Sequence, residues 1–136
     1  MAEITIGVGP GNLVPYTKTA RYLAGEAISK GELVCQEAAG GGYTVVLTDY
    51  DAGALFGVCG IALEEIADGD WGDFCVGGYC GYVVTDGGVA AGDPLVPHST
   101  AGMCDTMAAG EEDTVFGYAI DADSGAVGNA WVRTCG

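Results

Sequence analysis

Basic side chains are scarce in this sequence: 4 Lys and Arg stand against 19 Asp and Glu, for a formal net charge of −15. So acidic a body repels nucleic acid, whose binding requires Lys and Arg to neutralise phosphates. It is likewise repelled by anionic membrane surfaces, so neither nucleic acid nor a membrane is an expected partner. No run reaches the ~18 apolar residues of a membrane-spanning helix. The opening Met1-Ala2-Glu3-Ile4-Thr5-Ile6-Gly7 lacks the basic start and apolar core of a secretory signal, so the expected site of synthesis is the cytoplasm. Helical stripes are absent too, histidine occurs once (His98), and no Cys-x-x-Cys pair exists.

These gaps leave little for chemistry to use. His98 stands beside Ser99, but no Gly-x-Ser-x-Gly elbow supports a nucleophile. The six cysteines (35, 59, 75, 80, 104 and 135) lack the tight pairs of a structural zinc site and read as buried thiols in a reducing cytosol. Asp121-Ala-Asp123-Ser-Gly125 begins like a calcium loop, yet the position of the bidentate glutamate holds Val132, so a turn is expected. Gly7-Val-Gly9-Pro-Gly11 has no helix after it to cradle a phosphate. Glu64-Glu65 and Glu111-Glu112-Asp113 read as solvated loop acids. The expectation is a protein without catalytic residues, metal or cofactor, hence a binding or structural protein and not an enzyme.

What is abundant is glycine, 25 residues, within a chain that is 49% hydrophobic. That combination excludes disorder and favours many turns between short strands. Thr5 alternates with Ile4 and Ile6 in a first strand, and residues 12–24, broken by Pro15, form an extended arm or edge strand. Tyr43 to Thr48 is β-branched between turns, Leu55 to Leu63 suits a central strand, and Ala62 to Ala67 allows one helical turn. Trp71 to Val76 and Tyr79 to Thr85 flank Gly77-Gly78, which predicts a hairpin turning at the two glycines. The class is all-β: a small glycine-rich barrel or sandwich.

The second half echoes the first. Leu55-Phe56-Gly57 is answered by Val115-Phe116-Gly117, Trp71 by Trp131 and Cys75 by Cys135, at an offset of sixty. Gly31-Glu32-Leu33-Val34 is echoed by Gly92-Asp93-Pro94-Leu95-Val96, shifted by about one. The reading is an N-terminal arm over 1–24 and one β domain over 25–136, with related halves at about 25–85 and 86–136. Both tryptophans, at matching places in the repeat, are expected in the core. Charge divides unevenly as well. Lys18, Arg21 and Lys30 against Glu3 and Glu26 give residues 1–30 a net +1, and Arg133 against seventeen acids gives the rest −16.

The stretches Tyr22 to Val34, Ala54-Leu55-Phe56-Gly57-Val58, Val89 to Val96 and Val115-Phe116-Gly117-Tyr118-Ala119 resemble the capsid decoration (cement) proteins of tailed bacteriophages. Those proteins similarly pair a Gly–acid–x–Val segment with an apolar-Phe-Gly strand, twice along a short β-rich chain. The resemblance implies a virion protein on the outer capsid surface that clamps neighbouring major capsid proteins and stabilises the shell. Such clips are commonly trimers, with monomeric and dimeric forms known. The near-neutral arm then supplies capsid contacts from Tyr16, Lys18, Arg21, Tyr22 and Lys30, and Cys75 with Cys80 becomes a candidate disulfide once the virion is oxidised. Six cysteines and the long N-terminal segment depart from the family pattern. The alternative is a receptor- or carbohydrate-binding β module, with a groove around exposed Trp or Tyr.

Overall fold

A computed structural model describes residues 16–38, 41–49 and 58–133, and the side chains of Val58 and Cys59 lie outside that description. Its nine strands are β1 (Thr17–Ala24), β2 (Leu33–Gln36), β3 (Thr44–Leu47), β4 (Val58–Ala62), β5 (Trp71–Val84), β6 (Pro94–Pro97), β7 (Cys104–Thr106), β8 (Gly117–Ala119) and β9 (Val127–Val132). They form one sheet in the order β1-β3-β2-β4-β5-β9-β8-β6-β7, with β1 also paired to β5. The protein is all-β. The strand anticipated around Ile4 to Val8 falls outside the described residues.

The extra pairing closes a ring. β1 runs antiparallel to β5 from Thr17↔Gly78 to Leu23↔Trp71, and its end pairs in parallel with β3 at Leu23↔Thr44 and Ala24↔Val45. β3, β2, β4 and β5 complete the circuit through antiparallel ladders. The anticipated arm is therefore extended, as its sequence suggests, but residues 17–24 are built into the ring, along β5 and, at Leu23 and Ala24, also beside β3. Its interior packs Ala24, Val34, Val45, Ala62, Phe74 and Val76. The strands β9, β8, β6 and β7 continue from the far half of β5 and curl over a second core that includes Cys80, Leu95, Cys104, Ala119 and Ala130. Leu33, Ile61 and Cys75 from the ring's outer face fill that second core. Alternate residues of β2, β4 and β5 thus enter different cores, which is why these strands read as continuous apolar runs.

The anticipated hairpin at Gly77-Gly78 is corrected: β5 is one strand of 14 residues that runs straight through both glycines. Gly78 has φ +79, and a Cβ there would lie 2.3 Å from the Tyr16 carbonyl oxygen. The β1–β5 register slips at the same place, between Lys18 and Thr19. The glycines accommodate a bulge that bends β5 from one core to the other. The helical turn allowed at 62–67 is also replaced, by a bend and an Ile28↔Ile66 bridge.

The internal echo has a hydrogen-bonded basis. In Ser29-Lys30-Gly31-Glu32 the Glu32 carboxylate accepts the Ser29 N–H at 2.7 Å, and in Ala90-Ala91-Gly92-Asp93 the Asp93 carboxylate accepts the Ala90 N–H at 2.9 Å. Gly31 and Gly92 take φ +86 and +85, the left-handed geometry of the third position in a type II turn. Each turn then docks identically. Gly31 N–H donates to Ala62 O and Ala62 N–H to Glu32 O, while Gly92 N–H donates to Ala119 O and Ala119 N–H to Asp93 O. A third acid-locked turn, Ala108-Ala109-Gly110-Glu111, repeats the carboxylate bond at 2.7 Å.

Through these bonds Ala62 matches Ala119, a spacing of 57 and not sixty. Ile61 pairs with Leu33 and Cys75, and Tyr118 pairs with Pro94 and Trp131. The structural counterpart of the row Leu33–Ile61–Cys75 is therefore Pro94–Tyr118–Trp131, and Trp71 is not the counterpart of Trp131.

Candidate functional site

Both tryptophans are at the surface, 49% and 50% exposed, which corrects their expected place in the core. The expectation rested on the sixty-residue match, and the strand ladders use a different register. Trp71 lies at the β1–β5 pairing and stacks on Tyr43 with ring centroids 5.7 Å apart and planes at 19°. Trp131 stands in the middle strand of another group: Tyr79 of β5 is directly opposite it on one side and Tyr118 of β8 on the other. Directly paired residues project from the same face of a sheet, so Tyr79, Trp131 and Tyr118 make a row across three strands. Their neighbours along the strands, Cys80, Ala130 and Ala119, face the core. Strands spaced about 4.8 Å apart give a row roughly 10 Å long.

Next to the row the β5–β9 register slips between Cys80 and Val83. A shallow hollow of about 240 Å³ opens there, lined in part by Gly81, Asp121, Ser124, Gly128 and Asn129. The Tyr79 ring lies across Gly81, whose Cβ, if present, would sit 3.2 Å from the ring. Asp121 N–H donates to Asn129 Oδ1 at 3.0 Å, and Asn129 Nδ2 donates to Asp121 Oδ2 at 3.1 Å. The two bonds fix the amide's orientation, because a flipped amide would oppose N–H to N–H.

The residues expected to touch a capsid are spread along β1 and its following turn. Tyr16 is 63% exposed. Arg21 pairs with Asp73 at 3.1 Å, with both side chains largely in solvent, and Lys18 is half-buried. Lys30 sits 4.7 Å over the Tyr82 ring. Tyr22 packs against Phe74 at the edge of the first core, 5.5 Å between centroids, which makes it the structural member of the set.

Cys35, Cys75, Cys80 and Cys104 are buried thiols. Cys75 and Cys80 lie on one continuous strand, on either side of the bulge, not on the two arms of a hairpin. Their thiols are hydrogen-bonded, and that bond lowers Cys75 to about 7 against the opposing effect of burial. The same bond, reinforced by burial, pushes the Cys80 thiol up. Burial first, then nearby Asp86 and Asp105, push Cys104 up to about 12.

One cluster has no counterpart in the sequence reading. Asp86, at the end of β5, and His98 and Asp105, in the β6–β7 hairpin, bring one ligand-type atom each within 4.8 Å of one another. Desolvation, and then a hydrogen bond with Asp86, raise the Asp105 carboxyl above its ordinary 3.8. His98 Nδ1 accepts the Thr100 N–H at 2.9 Å, so the neutral ring carries its proton on Nε2. That tautomer suits donation to a carboxylate, and a metal at Nε2 would have to displace the Thr100 bond. Spacings of twelve and seven residues match no motif, and the only signal was the strand pairing that joins Thr85 to Cys104.

No protein-family model matches the chain, and no curated protein matches it. Among solved structures, it is similar to the N base of head fiber gp8.5 in bacteriophage phi29, at 15% identity and a TM-score of 0.58. The likeness covers 87% of this chain and 95% of that one, so it spans both the closed ring and the curled extension, and the two share a fold.

Proposed function

We propose that this chain is a structural protein of a tailed-phage virion that sits on the outside of the capsid and stabilises it by clamping neighbouring major capsid proteins. The observation that carries the reading is the fold it shares with the head fiber N base over nearly the whole of both chains. The family resemblance of the Gly–acid turns and Phe-Gly strands points the same way from independent residues. The partner is then the major capsid protein, with self-association as a trimer, and the role requires neither catalysis nor a cofactor. The three basic side chains of the first thirty residues are gathered on β1 and the turn after it, in a body otherwise strongly acidic. The exposed Arg21 and Lys30, and the half-buried Lys18 on the other face of β1, are then the cationic contacts with a negative capsid surface.

Co-sedimentation with expanded capsids lacking this protein tests the reading. The expected result is saturable binding at a fixed ratio to capsid protein, with heads more resistant to heat, and weaker binding by the Lys18→Glu/Arg21→Glu double variant. Folded protein that fails to bind at low and at moderate salt would overturn it.

A further inference from the structure

We propose that the outer face of β5, β9 and β8 is a binding site for a neutral oligosaccharide, with Tyr79, Trp131 and Tyr118 as the stacking platform. The hollow bearing Asp121 and Asn129 forms its polar wall.

The argument begins with the two equivalent rows. In the first unit, Leu33–Ile61–Cys75 is aliphatic and is covered by the protein's own second core. In the second unit the corresponding row carries Tyr118 and Trp131, 48% and 50% exposed. Aliphatic residues suit contact with a packed core. Tyrosine and tryptophan combine an apolar ring face with an O–H or N–H, which suits a ligand that is apolar on one face and hydroxylated at its rim. A pyranose ring is such a ligand. Tyr118 and Trp131, with the half-buried Tyr79 at the end of the row, span about 10 Å, room for two consecutive sugar rings.

The wall supplies hydroxyl recognition. The mutual bonds of Asp121 and Asn129 use one carboxylate oxygen and one amide hydrogen, leaving Asp121 Oδ1 as an acceptor beside the second Nδ2 hydrogen as a donor. An acceptor next to a donor matches two neighbouring sugar hydroxyls. Asn129 lies two residues from Trp131 along β9 and so on the same face, which lets a ligand stacked on Trp131 reach the pair. A few oriented polar groups beside an apolar surface are what small-ligand sites generally present. Charge selects among saccharides: a carboxylate in the wall and a net charge of −15 disfavour sulfated, phosphorylated or sialylated chains.

The experiment is binding of the full chain to a broad array of neutral glycans, followed by calorimetry on the hits and on polysialic acid. Trp131→Ala, Asn129→Ala and Trp71→Ala serve as variants, each checked for folding by circular dichroism. The expected result is binding of at least one neutral glycan and none of polysialic acid. Trp131→Ala should weaken affinity at least tenfold and Asn129→Ala several-fold. Trp71→Ala, equally exposed but remote in the ladder, should bind as the parent does. Absence of any neutral glycan ligand, or equal losses at Trp71 and Trp131, overturns the proposal. A Trp131→Ala chain that changes its mass in sedimentation equilibrium, with no glycan bound by the parent, would assign the face to contact between copies instead.

Discussion

The two units of this protein use the same acid-locked turn and the same pair of hydrogen bonds, yet they end in different states of closure. The first is a ring in which β1 pairs with β5 along its length and with β3 at Leu23 and Ala24, which closes the circuit. The second is more open: its last strand, the three-residue β7, pairs with β6 along its length and meets the chain just after β5 only through the single Thr85–Cys104 bridge. The first unit's outer row is covered by the second unit, while the second unit's outer row meets solvent. The comparison teaches that duplication of a small β unit creates one more apolar face than the molecule can cover by itself. Selection then had two solutions to hand, burying one row as Leu, Ile and Cys and converting the other to amphipathic aromatics.

Several substitutions break or sharpen this comparison. The largest effect is expected from Phe74→Ala, which empties the centre of the ring at a fully buried position and should cost about 3–5 kcal/mol in urea unfolding. Leu95→Ala in the open unit should cost about 3 kcal/mol. Because β5 contributes to both cores, both variants should shift a single transition. Two separate transitions in either variant would show that the units fold independently. Next, Gly78→Ala forces a side chain into positive φ and against the Tyr16 carbonyl, and should cost about 1–3 kcal/mol with faster amide exchange concentrated in β1. Equal exchange in β7 would mean that the bulge governs the open unit as well.

The smallest effect concerns Asp105. Its carboxyl is raised above 3.8 by desolvation and by Asp86, so the folded state holds that proton more tightly than the unfolded state. The resulting stabilisation is full below 3.8 and is lost as pH rises through the folded value. Asp105→Asn cannot ionise and should melt higher than the parent at pH 7, with no gain at pH 3. The difference is modest, because the carboxyl is largely solvated and screened. A lower melting temperature at pH 7 would mean that the charged form is favoured there, for instance by His98.

Local signals in the sequence were legible where the chain obeys local rules. β-branched residues between turns marked β3, the Gly–acid pairs marked the turns, and the cysteines were read as buried thiols, as the four described prove to be. Gly77-Gly78 misled because a glycine pair that permits a hairpin equally permits a bulge. Only the pairing of β5 with β1 before the bulge and with β9 after it decides between them, and those contacts span roughly fifty residues. The tryptophans misled for a related reason: identity at an offset of sixty is a chain property, while burial follows the hydrogen-bond ladder. The aromatic row is assembled by such pairing, with Tyr79 about fifty residues from Trp131, while the Asp86–His98–Asp105 cluster spans twenty residues and is set by the β6–β7 hairpin and the Thr85–Cys104 bridge, which no motif announces.

The continuity of β5 also has a mechanical meaning. A strand held along its length between antiparallel neighbours, when pulled along its axis, must release many ladder bonds together, whereas a short edge strand peels away one bond at a time. Tension entering at the closed ring would be carried by β5 as by a tie rod into the open unit. The weak direction of the molecule is then the release of the short β7, held by three pairs to β6 and one bridge to Thr85.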